Sequence, residues 1–244
     1  QALTSFRELG LRRDEAVAVN NLAAVLGSLG DLHSARDYLL QALTLIRQVG
    51  DKEEEATYLY NLGFCSFQMG EHRQSLDYAD QSLRLSREIK DRFTEADSIT
   101  LLCKAHLALG ETETAREECQ RALPLHQTNR DRLSEAMTQS ALGEIYELKS
   151  DAAKAVEARK AALAIYRDSG NASSELETLR ALGQLAVNAG DLATARNHLD
   201  QALQLSESLR AKVGSQQLRS TYMAGLQRVY ESYVDMLMQL HKQE

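Results

Sequence analysis

The chain has 244 residues, of which 43% are hydrophobic and 26% charged, with one proline, 13 glycines and no tryptophan. This composition, rich in helix-forming residues, excludes a disordered chain and an all-β fold, so we expect an almost entirely helical protein. The formal net charge of −7 is spread along the chain, which argues against nucleic-acid and anionic-membrane partners, and no apolar run is long enough to span a bilayer.

Residues 1–10, QALTSFRELG, are closely similar to residues 41–50, QALTLIRQVG. The similarity indicates a chain that repeats every 40 residues and begins in the middle of a repeat. We therefore expect residues 1–10 to be the remnant of helix B of a preceding repeat, in an excised piece of a longer array. The segment lacks a signal-peptide layout, and the three cysteines leave at least one unpaired, which favours a cytoplasmic protein.

Residues 11–210 contain five copies of the 40-residue unit. Each copy is divided by a glycine followed by an acidic residue, as at Gly30 and Asp31, and a serine replaces the glycine once, at position 150. We expect a helix A, a turn with a left-handed residue, and a helix B with the acidic residue beside its N-terminus. Because one hairpin cannot bury its own apolar face, the copies should stack as a solenoid. Helix B carries two small residues on one face, at Ala35, Ser75, Ala115, Ala155 and Ala195 and at Ala42, Ser82, Ala122, Ala162 and Ala202.

This pattern, over residues 14–210, resembles the tetratricopeptide repeat family, although the period exceeds the usual one of about 34 residues and the closing proline is absent. HEAT repeats have a similar length but match the small-residue pattern less well. The segments NNLA at 20–23 and YNLG at 60–63 are similar to the long-period arrays of kinesin light chains and spindle-orientation adaptors. The resemblance implies an all-α, right-handed superhelical solenoid of antiparallel helix hairpins. The residues that carry it are Leu62, Gly63, Ser75, Ala79 and Ser82, with their counterparts in the other copies.

In that family helix A lines a concave groove that binds proteins or peptides. Tyr60, Phe64 and Phe67 would form an aromatic face there, which favours recognition of a peptide or helix; the alternative is that Phe64 and Phe67 pack between helices. The basic cluster with which chaperone-binding members hold a C-terminal carboxylate is missing. The predicted partner-binding residues are Asn20, Thr57, Tyr60, Asn61, Phe64, Phe67, Thr100, Lys104, Ser140, Glu144, Arg180 and Gln184.

Residues with reactive or metal-ligating side chains do not form a recognisable motif. Cys103 and His106 lie one helical turn apart, and Cys119 and His126 lie on the next helix, so the spacing is compatible with a metal site or a Cys–His dyad. Both cysteines, however, occupy slots that hold small or apolar residues in other copies, which favours packing. We therefore predict no enzymatic activity, no metal and no cofactor for this chain.

Pro124 is the only proline and falls inside the third helix B. A proline lacks the amide hydrogen, and its ring meets the carbonyl of the preceding turn. We expect a kink or an early end of that helix.

Residues 211–244 depart from the repeat and read as a long capping or connector helix. An apolar stripe with spacings of three and four residues should pack Tyr222, Leu226, Tyr233 and Leu237 against the last repeat. Residues 208–243 resemble the junction in bacterial proteins where tetratricopeptide repeats precede a CHAT domain, a caspase-like peptidase. The stripe residues are Leu218, Tyr222, Leu226, Val229, Tyr233, Leu237 and Leu240.

The combined pattern predicts a non-catalytic scaffold or regulatory domain that binds a protein or peptide, as the recognition region of a larger CHAT-type peptidase. The alternative is a free-standing peptide-sensing regulator or assembly adaptor with no enzyme attached. The expected partner is a protein or peptide in the groove or a flanking domain of the same protein. Self-association through the C-terminal helix is a further option.

Overall fold

The computed structural model describes Phe6 and residues 9–212 and 216–241, and within these ranges it forms eleven α-helices and no β-strand. Side chains are described for these residues except 210–212, 216–226, 239 and 241. The predicted helix remnant at residues 1–10 lies mostly outside the described part. The helices are α1 Arg12–Ser28, α2 Leu32–Val49, α3 Lys52–Gln68, α4 His72–Ile89, α5 Arg92–Ala108, α6 Thr112–Asn129, α7 Arg132–Leu148, α8 Ala152–Asp168, α9 Ala172–Asn188, α10 Leu192–Lys212 and α11 Gln216–His241.

The odd-numbered helices α1 to α9 are the predicted A helices, and the even-numbered helices α2 to α10 are the B helices. Each turn between them contains a residue in the left-handed conformation, such as Gly30 with φ of 84°. Glycine takes this conformation without the steric cost that a side chain adds. Ser150 holds it in the fourth copy, with φ of 59°, so this turn carries a cost that the glycine turns avoid.

The acidic residue after this turn caps helix B where it is an aspartate but not where it is a glutamate. Asp31, for example, accepts a hydrogen bond from the backbone amide three residues further on at 3.2 Å. Glu71 and Glu111 make no such bond. The longer glutamate side chain instead accepts from Arg36 at 3.1 Å in the case of Glu71, and lies 2.7 Å from His106 Nδ1 in the case of Glu111.

The slots that carry the repeat pattern are packing positions. Leu62 and Gly63 on α3 are both buried, and a Cβ added at Gly63 would lie 2.9 Å from Leu101 Cδ2 and 3.3 Å from the carbonyl oxygen of Ser75. The absence of a side chain at position 63 therefore lets α4 approach α3 closely. Ser82 is also buried, and its hydroxyl donates to the carbonyl of Ala56 at 2.8 Å, so this small polar residue is satisfied inside the core.

An ion pair between residues eight positions apart links helix B of one copy to helix A of the next at three junctions. The arginines are about half exposed, so each pair adds little to stability, but its recurrence shows that these junctions have the same geometry. The pairs are Arg47–Glu55, Arg87–Glu95 and Arg167–Glu175, with N···O distances of 2.7, 2.8 and 2.9 Å.

The chain divides into two compact units, Gln1–Ser134 and Glu135–Glu244. In the first unit each of α1 to α5 packs on the helix that follows it in the chain, and the core includes Val19, Ile46 and Leu62. In the second unit α8, α9 and α10 pack in chain order.

Helix α11 packs on α9 and α10 of the second unit, through a face that includes Val229 and Tyr233 of the predicted stripe. Val229 and Met236 are 1% and 2% exposed in its core, and Tyr233 donates to Asp200 at 2.9 Å. Leu237 is 48% exposed, so its predicted burial is wrong; Tyr222 and Leu226 lie outside the described side chains. At about 100° per residue, Leu237 points about 80° away from Val229, whereas Met236 lies within about 20° of it.

Cys103 and Cys119 are both buried, as predicted for packing positions, but they also form a disulfide between α5 and α6, with Cα atoms 5.4 Å apart, which the sequence did not predict. The two slots face each other across the hairpin in other copies as well. In the fifth copy a Cβ added at Gly183 would lie 2.7 Å from the side chain of Leu199. Cys65 is the free, buried cysteine.

Helix α6 continues through Pro124 to Asn129 and has 18 residues, like α2 and α4. The predicted early end is therefore wrong. The proline ring lies on the exposed side of the helix, while Ala122 and His126 on either side of it are buried in the first unit. Tertiary packing around the proline outweighs the loss of one backbone hydrogen bond.

Candidate protein-binding groove

An aromatic cluster, defined here as Tyr60, Phe64 and Phe67, follows one face of α3. The spacing of four and then three residues places the rings in a row, and the rings of Tyr60 and Phe64 stack with centroids 6.4 Å apart. All three side chains are half-buried and pack against a core cluster that includes Leu83 and Leu101. The cluster is thus anchored in the core and still presents part of each ring to a ligand.

Lys104 on α5 places its ammonium group over two of these rings. Its Nζ lies 5.1 Å from the ring centroid of Phe67 and 6.0 Å from that of Phe64. A cation at this distance is attracted to the negative face of the ring. Lys104 and the aromatic cluster therefore form one surface with both aromatic and cationic character.

A pocket of about 470 Å³ adjoins the cluster, between α1, α2 and α3. Four predicted residues, Asn20, Tyr60, Asn61 and Phe64, line it. Asn61 Nδ2 donates to Asn20 Oδ1 at 2.9 Å, so two amides from adjacent repeats meet at its wall. The other lining residues are Ala23, Ala24, Gly27, Ser28, Ala35, Leu39, Cys65 and Gln68.

The two threonines that were predicted to bind a partner make contacts with other residues of the first unit. The hydroxyl of Thr57 donates to the carbonyl of Glu53 at 3.2 Å, and its side chain is half-buried. Thr100 is 5% exposed, and its hydroxyl lies 2.8 Å from Nε2 of His126. Thr100, which was predicted to face a ligand, therefore faces the interior.

The predicted residues of the second unit lie on α7 and α9. Ser140 is half-buried with its hydroxyl 3.3 Å from that of Tyr166, and Glu144 is exposed. Arg180 Nε donates to Glu177 at 3.2 Å. Gln184 Nε2 donates to Asn188 Oδ1 at 3.2 Å. These four side chains are polar, without aromatic rings among them, and Ser140, Arg180 and Gln184 each have a hydrogen-bond partner.

The structure also brings together three residues that the sequence analysis did not combine. Asp97, His126 and Asp131 each offer one ligand atom within 4.8 Å of the others. Burial raises the pKa of Asp97 to about 6, against the opposing effect of a hydrogen bond from Ser134. A dyad or metal site of His126 with Cys119, which the spacing allowed, is excluded because Cys119 is bonded to Cys103.

One residue of this cluster, His126, can be recognised as unusual by comparing the repeats. The equivalent positions in other copies hold Ile46, Ser86, Tyr166 and Ser206, so a histidine in this buried slot is unusual for the array. Its contact with Thr100 matches that between Tyr166 and Ser140 one copy later. The partners Asp97 and Asp131 are 29 and five positions from it, which no short motif would reveal.

The sequence profile of the tetratricopeptide repeat matches residues 14–88 and 134–208. A comparison with curated proteins finds no match.

Three solved structures share the fold at low sequence identity. BtubC (BKLC) from P. vanneervenii has a TM-score of 0.73 and 19% identity, covering 88% of this chain and 90% of its own. A Rap protein complexed with competence and sporulation factor has a TM-score of 0.72 and 14% identity, covering 95% and 68%. NprR in complex with its cognate peptide NprX has a TM-score of 0.70 and 14% identity, covering 99% and 70%. These similarities confirm the predicted all-α repeat fold.

Within the described residues, no helix combines the length and apolar character needed to cross a membrane.

Proposed function

The chain belongs to the tetratricopeptide repeat family, and from this premise we propose that it is a non-catalytic scaffold that binds a protein or peptide in the groove of its first unit. The observation that carries the proposal is the pocket of about 470 Å³ between α1, α2 and α3, which adjoins the aromatic cluster and Lys104. Two proteins with the same fold are known in complex with a peptide or factor, which supports a binding role here.

The lining of the pocket defines the ligand chemistry. Ala24, Ala35 and Leu39 provide an apolar wall that suits an aliphatic or aromatic side chain. Asn20 and Asn61 carry amide groups that both donate and accept, and can therefore pair with the main chain of an extended peptide. We propose that such a peptide places one apolar side chain in the pocket and an acidic or aromatic side chain beside Lys104.

Selection from a phage-displayed library of random short peptides, followed by calorimetry of the selected peptide, tests the proposal. The variant Tyr60→Ala with Phe64→Ala should weaken binding at least about tenfold, equivalent to about 1.4 kcal/mol, because it removes two rings that line the pocket.

A matched control is Tyr230→Ala, which removes an exposed aromatic ring of the second unit. It should leave the affinity unchanged. Circular dichroism establishes that both proteins are folded. Equal affinity of the folded double variant and the wild type would rule out the groove as the binding site.

We propose two kinds of protein in which this scaffold would act. In the first, suggested by the resemblance of residues 208–243 to the segment before a CHAT domain, the scaffold is the recognition region of a larger bacterial peptidase. In the second it is a free-standing peptide-sensing regulator or adaptor, which the Rap and NprR structures favour. The coding sequence after residue 244 distinguishes them, because a CHAT domain would supply a catalytic His and Cys.

Two further properties are proposed from the sequence. Cytoplasmic location is inferred from the absence of a signal-peptide layout and from the cysteine count; the Cys103–Cys119 disulfide is more usual in an oxidising compartment, and cell fractionation decides between the two. Self-association through the C-terminal helix is tested by the sedimentation coefficient of the purified chain as its concentration is raised.

A further inference from the structure

Three metal-ligating side chains from consecutive elements converge in the first unit. Asp97 lies on α5, His126 near the end of α6, and Asp131 in the turn that follows. One ligand atom of each lies within 4.8 Å of the others, and His126 Nδ1 is 4.0 Å from Asp131 Oδ2. His126 is 1% exposed, so a fully buried ring nitrogen lies close to two carboxylates.

Thr100 fixes which nitrogen of His126 is directed at the carboxylates. Its hydroxyl donates to the carbonyl of Ala96 at 3.2 Å and lies 2.8 Å from His126 Nε2. A hydroxyl has one hydrogen, and with that hydrogen directed at Ala96 we assign the ring hydrogen of His126 to Nε2, from which the hydroxyl accepts. The neutral ring then carries its lone pair on Nδ1, the atom nearest Asp131. Metal-binding histidines are oriented in this way, through a hydrogen bond from the nitrogen that does not bind the metal.

Ser134 holds both carboxylates in place. Its backbone amide donates to Oδ1 of Asp131 at 3.1 Å, which leaves Oδ2 on the side of His126. Its hydroxyl donates to Oδ1 of Asp97 at 3.1 Å. Hydrogen bonds therefore hold the side chains of Asp97, His126 and Asp131 in position.

We propose that Asp97, His126 and Asp131 bind a divalent transition-metal cation of the Zn²⁺ class. One imidazole nitrogen with carboxylate oxygens suits zinc or manganese, whereas Mg²⁺ and Ca²⁺ prefer sites built from oxygen alone. Donor atoms of neighbouring ligands in a tetrahedral zinc site lie about 3.4 Å apart. The three side chains must therefore move inward by about 1 Å, with water completing the coordination.

The bound cation would link α5, α6 and the start of α7. It would also offset the negative charge of two carboxylates beside a buried ring. The site is separate from the pocket, which is lined by residues of α1, α2 and α3.

Calorimetric titration with ZnCl₂ tests the proposal on the tag-free, EDTA-treated chain with its disulfide intact. The wild type should bind one Zn²⁺ per chain. His126→Gln and Asp131→Asn should each weaken binding by more than about 100-fold, and Thr100→Val by about tenfold, because outer partners of a metal ligand typically contribute 10- to 100-fold.

A matched control is His106→Gln. This histidine of the same repeat lies 2.7 Å from the single carboxylate of Glu111, and its loss should leave zinc binding unchanged. Asp131→Asn preserves the capping bond to Ser134, since asparagine caps helices as well as aspartate does, so this variant decides the question if His126→Gln fails to fold.

The absorption spectrum of the Co²⁺-loaded chain gives a second readout, because its bands report nitrogen and oxygen ligands directly. They should be lost in Asp131→Asn. Wild-type protein that takes up no Zn²⁺, or Asp131→Asn that binds it as tightly as wild type does, would overturn the proposal.

Discussion

The second and third repeats use the same backbone for different purposes. Helices α3 and α5 have 17 residues each, and α4 and α6 have 18 each. Where the second repeat has Gly63 facing α4, the third has Cys103 bonded to Cys119. Where the second has Ser86, the third has His126 beside two aspartates. A repeat tolerates such exchanges because a few small slots and the turns determine its geometry, and the other positions are available for function.

Of the changes that test this difference between the repeats, reduction of the disulfide should lower the free energy of unfolding most. In the chain-entropy model a crosslink with the spacing of residues 103 and 119 stabilises the folded state by about 3 kcal/mol. Urea unfolding followed by circular dichroism should show this loss when dithiothreitol is added. The variant with Cys103→Ala and Cys119→Ala should not respond to dithiothreitol, whereas Cys65→Ala should respond as wild type does. An equal midpoint with and without reductant in the wild type would contradict the prediction.

Substitution of Gly63 should have the next largest effect on the free energy of unfolding. Gly63→Ala places a Cβ 2.9 Å from Leu101 and 3.3 Å from the backbone of α4, and we expect a loss of about 2 kcal/mol from overpacking. Gly27→Ala in the first repeat is the control, because its Cβ would meet Ala35 at an ordinary 3.9 Å. That change should stabilise α1 by up to about 1 kcal/mol. Urea midpoints that move in the same direction for both variants would refute the close-approach argument.

Ser150→Gly should make the fourth repeat more like the others. Its left-handed backbone costs a serine about 1 kcal/mol, and glycine removes that cost, so the thermal midpoint should rise. Ser169→Gly provides the comparison, since position 169 has a right-handed conformation with φ of −82°. There glycine only adds flexibility to the unfolded chain and should give no gain.

Lys104→Met should have the smallest effect, a loss of about 0.5–1 kcal/mol in unfolding free energy, because the cation over Phe64 and Phe67 is partly solvated. Repeating the change in a Phe64→Ala, Phe67→Ala background measures the coupling directly. A coupling energy of zero in this double-mutant cycle would show that the lysine does not interact with the rings.

The fold could be predicted from the sequence because the same small residues recur every 40 positions, and each recurrence constrains the same packing slot. The disulfide does not follow from the spacing of the cysteines along the chain; it follows from the hairpin, in which the slots of Cys103 and Cys119 face each other, as those of Gly183 and Leu199 do. The burial of Leu237 was mispredicted because two successive steps of four residues carry its side chain about 80° around the helix from Val229. Neither the histidine cluster nor the interior position of Thr100 follows from a periodic pattern, since both depend on single residues of one repeat.

The recurring arginine–glutamate pair at the junctions has a consequence for how such a chain changes length. Removal of residues 51–90 would join Gly50 directly to Asp91 and place Arg47 eight positions before Glu95, which is the spacing found at every such pair. The new junction would present the same two partners at the same separation. Unequal recombination within the gene that deletes or duplicates a whole unit would therefore leave an arginine–glutamate pair of this spacing at the new junction, so the pair itself places no limit on the number of repeats.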